Sequence, residues 1–367
     1  MNLRKVIIAI CFFGILAGVY AVDYYENVYT SDGKQRTFFL HTPPGYDGVT
    51  PLPLVICLHY GGFQQGENMA MLTGMSGKAD QVDYIVAYPD ALSPGWSNHD
   101  VLFLDELVDT LKARYAVDEK MIFMTGYSAG AVMSHWMACK LADEVAAFGP
   151  VAGTMLSYDW TGCYPTQPPS IVSINARDDP ALPYEGDGGY YTGVEEAMSN
   201  WAERLECDEG PDSFTNETGA LRQTWSRSDG KCDIVLWTTE AGGHGWPTEF
   251  SAHQLSANDV LFDFFAAHPL QEPVFVEEEP SRADYVIDAD IPQFFTRTTT
   301  VRFRISKTEK VGIELFDALG RRAMVPVRKE FAAGEHSIIL DGGSLKSGVY
   351  FCRIKTPSYV KTEKLIK

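Results

Sequence analysis

The segment that most constrains the fold is Met121–Ala142, which contains Gly126-Tyr127-Ser128-Ala129-Gly130, a G-x-S-x-G match. The apolar run from Met121 to Met124 predicts a buried strand, and the residues after the match recur with the period of a helix. A serine on a sharp turn between a strand and a helix is typical of a nucleophile elbow. Glycine suits such a turn because a side chain there would clash with the neighbouring strand or helix. The alternative is a glycine-rich turn in some other α/β fold.

A nucleophilic serine needs a base to take its proton and a third group to orient that base. His244 lies between two glycines, just after the strand-like segment Ile234–Thr239. A histidine in a loop past the end of a strand can reach back to an elbow. We therefore predict that His244 is the base, with His253 as the second choice.

The acid is predicted at the end of another strand. Ser170–Asn175 is apolar enough for a buried strand, and Asp178 and Asp179 follow it in a turn. Short acidic side chains also shape turns, so one of the two serves that purpose. Spacing alone leaves both open as the partner of His244.

An oxyanion that forms on the substrate needs backbone N–H donors. The N–H of Ala129 lies at the start of the helix that follows Ser128, where the helix dipole favours negative charge. A second apolar strand, Leu52–Leu58, runs into a loop that contains Gly61 and Gly62. We predict Gly61 as the second donor and Gly62 as the alternative. Five aromatic residues fall in or near the loops around the predicted site and are candidates for substrate binding: Tyr60, Trp96, Tyr127, Trp160 and Trp246.

From about Thr37 to Pro269, the chain resembles secreted esterases of the carbohydrate-esterase family 1 type, which include feruloyl esterases, acetylxylan esterases and polyhydroxybutyrate depolymerases. The resemblance rests on Phe38–Tyr46, Pro51–His59, Tyr88–Asp90, Asp100–Leu104, the Ser128 elbow, Asp179–Tyr184 and Gly243–Pro247. It implies an α/β-hydrolase fold with a mostly parallel sheet and helices on both faces. In this family the triad aspartate directly precedes a Pro-x-x-Pro-Tyr stretch, which favours Asp179. The chain departs from the family pattern at Tyr60, where glycine is usual, and in the acid loop, where Asn175–Asp179 replaces the usual His-Gly-Thr-x-Asp.

The C-terminal part of the chain has a different pattern. Residues 270–283 form an acidic, proline-containing linker, and from residue 284 onward short segments alternate between apolar and polar residues, which predicts a small all-β sandwich over 284–367. Leu315–Arg321, Leu345–Phe351 and the final Lys364–Lys367 resemble the C-terminal sorting domain of the type IX secretion system. A carbohydrate-binding module is the competing interpretation, but this segment has no tryptophan with which to stack on sugars.

The first 21 residues have a basic start, an apolar core and a small residue at the end, and they predict a secretory signal peptide. A membrane anchor is the alternative, although the apolar run is short for a span and no other span is evident. The net charge of −19 argues against nucleic-acid binding. Export makes disulfides plausible. Cys207 with Cys232 is the first predicted pair, because the two flank a polar excursion, and Cys139 with Cys163 is the second. No cysteine or histidine spacing indicates a metal site.

Taken together, these features predict a serine esterase, in the esterase domain 22–269, that is secreted or attached to the cell surface. The resemblance implies that it acts on feruloyl or acetyl esters of cell-wall polysaccharide, without a cofactor. Its expected partners are the esterified polysaccharide or oligosaccharide and, through the C-terminal domain, the secretion machinery. A polyester depolymerase would use the same catalytic groups. An inactive scaffold that displays a binding surface is the third hypothesis.

Overall fold

The computed structural model describes residues 21–62, 65–165, 167–248, 255–271, 295–305, 308–317, 323, 327–343, 345–356 and 359–367. The described residues fall into two compact units, with residues up to 271 in one and residues from 295 onward in the other. The predicted signal peptide, except for Ala21, and most of the predicted acidic linker lie outside the described residues. His253 also lies outside them.

The first unit alternates strands with helices. Its strands are β1 (Val22–Tyr29), β2 (Gln35–Thr42), β3 (Leu52–Leu58), β4 (Ile85–Pro89), β5 (Val117–Tyr127), β6 (Ala147–Val151), β7 (Ser170–Ala176), β8 (Glu209–Thr215), β9 (Leu221–Ser226) and β10 (Asp233–Thr239). Its helices are α1 (Gly66–Thr73), α2 (Met75–Val82), α3 (Val101–Arg114), α4 (Ala129–Ala138), α5 (Val194–Arg204) and α6 (Ala257–Ala267). Short 3-10 helices span Asn98–Asp100 and Asp159–Gly162.

The ten strands form one sheet in the order β1-β2-β4-β3-β5-β6-β7-β10-β9-β8. The six central strands of this order, β4-β3-β5-β6-β7-β10, are parallel to one another. The outer strands pair antiparallel on both sides. This arrangement confirms the predicted α/β fold with a mostly parallel sheet. Because the central strands run the same way, the loops after β3, β5, β7 and β10 meet at one edge of the sheet.

The core lies on both faces of the sheet. In β3, the side chains of Leu54, Ile56 and Leu58 enter one apolar cluster, and those of Val55 and Cys57 enter another. Successive residues of a strand point to opposite faces, so a strand covered on both sides must be apolar throughout. Helices α3, α4 and α5 contribute buried residues to the first cluster, whereas α2 and α6 contribute to the second. The predicted placement of helices on both faces is therefore confirmed.

The second unit consists of antiparallel strands. They are β11 (Thr298–Ile305), β12 (Glu309–Asp317), β13 (Val327–Phe331), β14 (Gly334–Asp341), β15 (Val349–Thr356) and β16 (Tyr359–Ile366). Strands β11 and β14 form a two-stranded sheet, and the other four form a sheet in the order β13-β12-β15-β16. Apolar side chains from both sheets, including Val301, Phe303, Leu315 and Ile354, pack in one cluster. The prediction of a small all-β C-terminal domain is confirmed.

Within the part of the chain that the structure describes, we find no helix with the length and apolar character needed to cross a membrane.

Candidate active site

Ser128 lies between the end of β5 and the start of α4, with φ 57° and ψ −116°. A non-glycine residue with positive φ is strained, and such strain persists only where the surroundings enforce it. The two glycines of the motif allow the tight turn. A Cβ on Gly126 would lie 2.4 Å from the carbonyl of Gly130, and a Cβ on Gly130 would lie 2.3 Å from the carbonyl oxygen of Leu58. The turn leaves Ser128 partly accessible at the edge of the sheet.

His244 contacts both Ser128 and Asp179. Its Nε2 lies 2.8 Å from the Ser128 hydroxyl, and its Nδ1 lies 2.7 Å from Oδ2 of Asp179. The three side chains come from the loops after β10, β5 and β7, which the parallel strands bring to the same edge. Side-chain exposure is 19% for His244 and 3% for Asp179, so the carboxylate is shielded and the imidazole is partly accessible.

The two adjacent aspartates have different partners. Burial opposes ionisation of Asp179, but hydrogen bonds from His244 and from the N–H groups of Leu182 and Ala181 outweigh it and lower the pKa of Asp179. The Asp178 carboxylate instead accepts the N–H of Gly243 at 2.7 Å and that of Gly242 at 3.3 Å. Asp179 therefore contacts the imidazole, and Asp178 holds the loop that presents it.

The predicted oxyanion donors lie side by side. Ala129 is the first residue of α4, and a Cβ built on Gly61 would lie 3.7 Å from the Ala129 Cβ. Among the described residues, neither of these two N–H groups has a hydrogen-bond partner. The N–H of Gly62, the alternative donor, donates to the carbonyl of Pro94 at 3.4 Å. The geometry thus leaves Gly61, and not Gly62, free to bind a ligand oxygen.

His59 stabilises the Gly61 loop from below. It is fully buried, its Nδ1 lies 2.7 Å from the carbonyl of Tyr60, and its Nε2 accepts the N–H of Ala91 at 3.0 Å. Burial lowers the pKa of His59, and these contacts suit the neutral ring. The indole N–H of Trp96 donates to the His59 carbonyl at 2.7 Å. These contacts indicate that His59 holds the loop in place and plays a structural role.

Three of the five predicted aromatic residues pack around the His244 loop. The Tyr127 hydroxyl donates to the carbonyl of His244 at 2.7 Å, and its ring packs edge-on against Tyr60 and Trp246. Burial, with the charge of Asp179, raises the pKa of Tyr127 to about 12, so its hydroxyl remains a donor. Tyr127 and Trp246 are buried and support the loop, and their contact with substrate stays a prediction.

Trp96, the fourth, lines a cavity of about 410 Å³ that also contacts Ala129. Its walls include Val132, Met133 and Trp136 of α4, and its rim includes the exposed Tyr158 and Tyr190. Trp160, the fifth, does not line this cavity: its indole N–H donates to Thr192, and its ring packs against the core residue Trp201. Its neighbours Tyr158 and Asp159 line the cavity. A contact of Trp160 with substrate stays a prediction.

The cysteines differ from the first prediction. Cys139, at the end of α4, is bonded to Cys163. Cys207 and Cys232 are both free cysteines, which contradicts the pairing predicted for them. Both side chains nevertheless pack in the same apolar cluster. The two cysteines flank a polar excursion, but that pattern did not predict a disulfide correctly.

Comparisons with known proteins agree with this structure. A probable feruloyl esterase C of Aspergillus niger is 29% identical over 257 residues, which is 66% of this chain and 87% of that protein. A poly(3-hydroxyalkanoate) depolymerase C of Paucimonas lemoignei is 25% identical over 273 residues, which is 64% of each chain. The matches to further feruloyl esterases span 57–58% of those proteins' length.

Among solved structures, an acetyl xylan esterase from Aspergillus awamori superposes with a TM-score of 0.50 at 16% identity, covering 66% of this chain and 99% of that one. This likeness shows the shared fold. Residues 297–367 match the family model described as a secretion system C-terminal sorting domain. The predicted resemblance to these esterases and the predicted sorting domain are both confirmed, and the relatives are carboxylic ester hydrolases.

Proposed function

We propose that this protein is an exported serine esterase that releases hydroxycinnamic acids such as ferulate from esterified plant polysaccharide. The observation that carries the proposal is the hydrogen-bonded series Ser128–His244–Asp179, placed beside two unpartnered N–H groups. The similarity to a feruloyl esterase and the matched sorting domain support the substrate class and the export.

In the proposed reaction, the Ser128 oxygen attacks the ester carbonyl while its proton passes to Nε2 of His244. Asp179 accepts a hydrogen bond from Nδ1, which fixes the tautomer and stabilises the imidazolium. The N–H groups of Ala129 and Gly61 bind the oxyanion of the tetrahedral intermediate. His244 then gives the proton to the departing alkoxide of the sugar. A water molecule, deprotonated by the same imidazole, attacks the acyl-enzyme and releases the carboxylic acid.

The size of the cavity favours an aromatic acyl group. Its volume of about 410 Å³ is larger than an acetyl group would fill, and its walls include aromatic side chains. The leaving alkoxide must lie within reach of His244, which is not among the residues that line this cavity. The cavity contacts Ala129 instead, so it suits the acyl part of the substrate and not the sugar.

The test is product release by the full chain from feruloylated arabinoxylan, acetylated xylan and polyhydroxybutyrate, measured by chromatography. We expect ferulate to be released, and Ser128→Ala to reduce the rate by at least about 10⁴-fold. Ser134→Ala is the matched control, because Ser134 lies on the same helix with its hydroxyl bonded to the Gly130 carbonyl.

Release of acetate alone or of 3-hydroxybutyrate alone would replace ferulate with another acyl group. If folded protein cleaves neither these polymers nor p-nitrophenyl acetate, the esterase proposal is wrong and the binding-scaffold hypothesis takes its place.

A further inference from the structure

The wall of the cavity beside Ser128 includes a buried carboxylate that has no hydrogen-bond partner among the described residues. Asp159 is 8% exposed and lies on the cavity wall, yet its carboxylate makes no hydrogen bond to any residue that the structure describes. Trp136 lines the same cavity, and its buried indole N–H has no hydrogen-bond partner among the described residues. The Asp159 carboxylate is an acceptor, so it offers a hydrogen bond to a ligand that carries a donor.

Asp159 is exceptional among the buried acids of this chain. The described residues include four buried carboxylates, and the other three have strong partners. Asp100 binds Arg36, Asp179 binds His244, and Glu314 binds Arg353. Buried carboxylates are normally paired or hydrogen-bonded, because desolvating a charge is costly.

The positive charge that acts on Asp159 is that of Lys140, which makes no ion pair with it. The Lys140 ammonium lies over the Trp136 ring, 4.0 Å from its centroid, and donates to the carbonyl of Gly162. Burial raises the pKa of Asp159, and the charge of Lys140 opposes this shift only in part. A hydroxyl group that enters the cavity would supply the hydrogen bond that the protein does not.

We propose that the Asp159 carboxylate accepts a hydrogen bond from a ring hydroxyl of the acyl group, and so selects hydroxylated over unsubstituted aromatic esters. This inference rests on the proposed function and deepens it by naming the residue that recognises the hydroxyl of the acyl ring. Trp136 lines the same cavity and can pack against the acyl ring. Asp159 does not touch the reacting carbonyl, so it determines specificity and takes no part in the chemistry.

The test compares methyl 4-hydroxycinnamate with methyl cinnamate, which differ by one hydroxyl. A hydrogen bond to a charged acceptor corresponds to roughly a 10- to 100-fold preference for the hydroxylated ester. We expect Asp159→Ala to remove this preference by lowering kcat/KM for methyl 4-hydroxycinnamate, while kcat/KM for methyl cinnamate changes less than about threefold. Asp159→Asn keeps an acceptor oxygen and should restore part of the preference.

Asp109→Ala is the control for lost charge, because that carboxylate is 71% exposed on α3. Equal losses on both esters in Asp159→Ala, or a ratio that stays at the wild-type value, would overturn the proposal. A purely structural Asp159 would give the first of these results.

A binding measurement separates this inference from the esterase proposal. Titration calorimetry with Ser128→Ala would compare the Kd of 4-hydroxycinnamate and of cinnamate, with and without Asp159→Ala. Tighter binding of the hydroxylated acid that depends on Asp159 supports the inference even if wild-type protein hydrolyses no ester. Equal Kd values for the two acids would overturn it even if hydrolysis is observed.

Discussion

The two sides of Ser128 differ in how completely their polar groups are bonded. On the side of the His244 loop, each functional group has a partner within the protein: the imidazole bonds Asp179, and the loop backbone bonds Asp178 and Tyr127. On the side of the cavity, Asp159 lacks a hydrogen-bond partner among the described residues, and the indole nitrogen of Trp136 is unpaired.

This difference indicates which parts of the site are complete before substrate arrives. Groups that perform chemistry benefit from being fixed in advance, because they then need no reorganisation during the reaction. Groups that recognise a ligand must keep bonding capacity for it, at a cost in stability. The bonded side therefore fits the proposed reaction, and the unbonded side fits substrate recognition.

The largest expected effect comes from Asp179→Asn. Asparagine keeps the size of the side chain but loses the charge that stabilises the imidazolium, and its amide can hold His244 in the wrong tautomer. We expect kcat for p-nitrophenyl acetate to fall by about 10³- to 10⁴-fold. A fall of less than tenfold would mean that the bonded side does not perform the chemistry.

Asp178→Asn is the neighbouring substitution and should have a much smaller effect. The amide oxygen can still accept one N–H from the Gly242–Gly243 backbone, so the His244 loop loses one of its two hydrogen bonds to this side chain and keeps the other. We expect kcat to fall by about 3- to 10-fold, which corresponds to one weakened hydrogen bond. Steady-state kinetics on the same ester provide the comparison, and losses as large as those of Asp179→Asn would reverse the assignment of the two aspartates.

On the cavity side, Tyr190→Ala tests recognition alone. Tyr190 is 49% exposed and packs against Tyr158 with ring centroids 5.7 Å apart. Loss of one aromatic contact should raise KM for methyl ferulate by about 3- to 5-fold and leave p-nitrophenyl acetate unchanged. A fall in kcat on both esters would show that the rim of the cavity also positions the reacting groups.

Trp160→Phe should have the smallest effect on activity. Its ring lies against Trp201 in the core, so the substitution should lower Tm through the lost contact and the lost hydrogen bond to Thr192. We expect kcat/KM for methyl ferulate to change by less than about twofold. A larger and ester-specific change would place Trp160 in contact with substrate, as the sequence first suggested.

The reacting groups were predictable because each follows an apolar strand. Buried parallel strands such as β3, β5, β7 and β10 have continuous apolar sequences, and their C-terminal ends must share an edge. That rule brings Ser128, Asp179 and His244 together without knowledge of any contact. The choice between Asp178 and Asp179 needed the family resemblance, since both residues fall in the same turn.

The outer strands and the cavity were harder to predict. Strand β8 (Glu209–Thr215) is exposed at all seven positions, so burial imposes no alternation on its sequence. The cavity wall is formed by α4, by the segment between β4 and α3, and by loops between β6 and α5, and the paths of these loops depend on tertiary packing. The triplet Tyr158-Asp159-Trp160 was the sequence signal for this wall. We predicted a substrate contact for Trp160, but Tyr158 and Asp159 are the residues that line the cavity.

The bond between Cys139 and Cys163 joins two elements that line the cavity, α4 and the 3-10 helix that starts at Asp159. Cys139 ends the helix that begins beside Ser128, and Cys163 directly follows the 3-10 helix that starts at Asp159. Such a bond persists in oxidising compartments and is rare in the cytosol. On the proposed export and ring recognition, the protein would gain its full selectivity for the acyl ring only after this bond forms outside the cytosol. In a reducing environment, the Ser128–His244–Asp179 contacts would remain, but the proposed recognition wall would lose this covalent link.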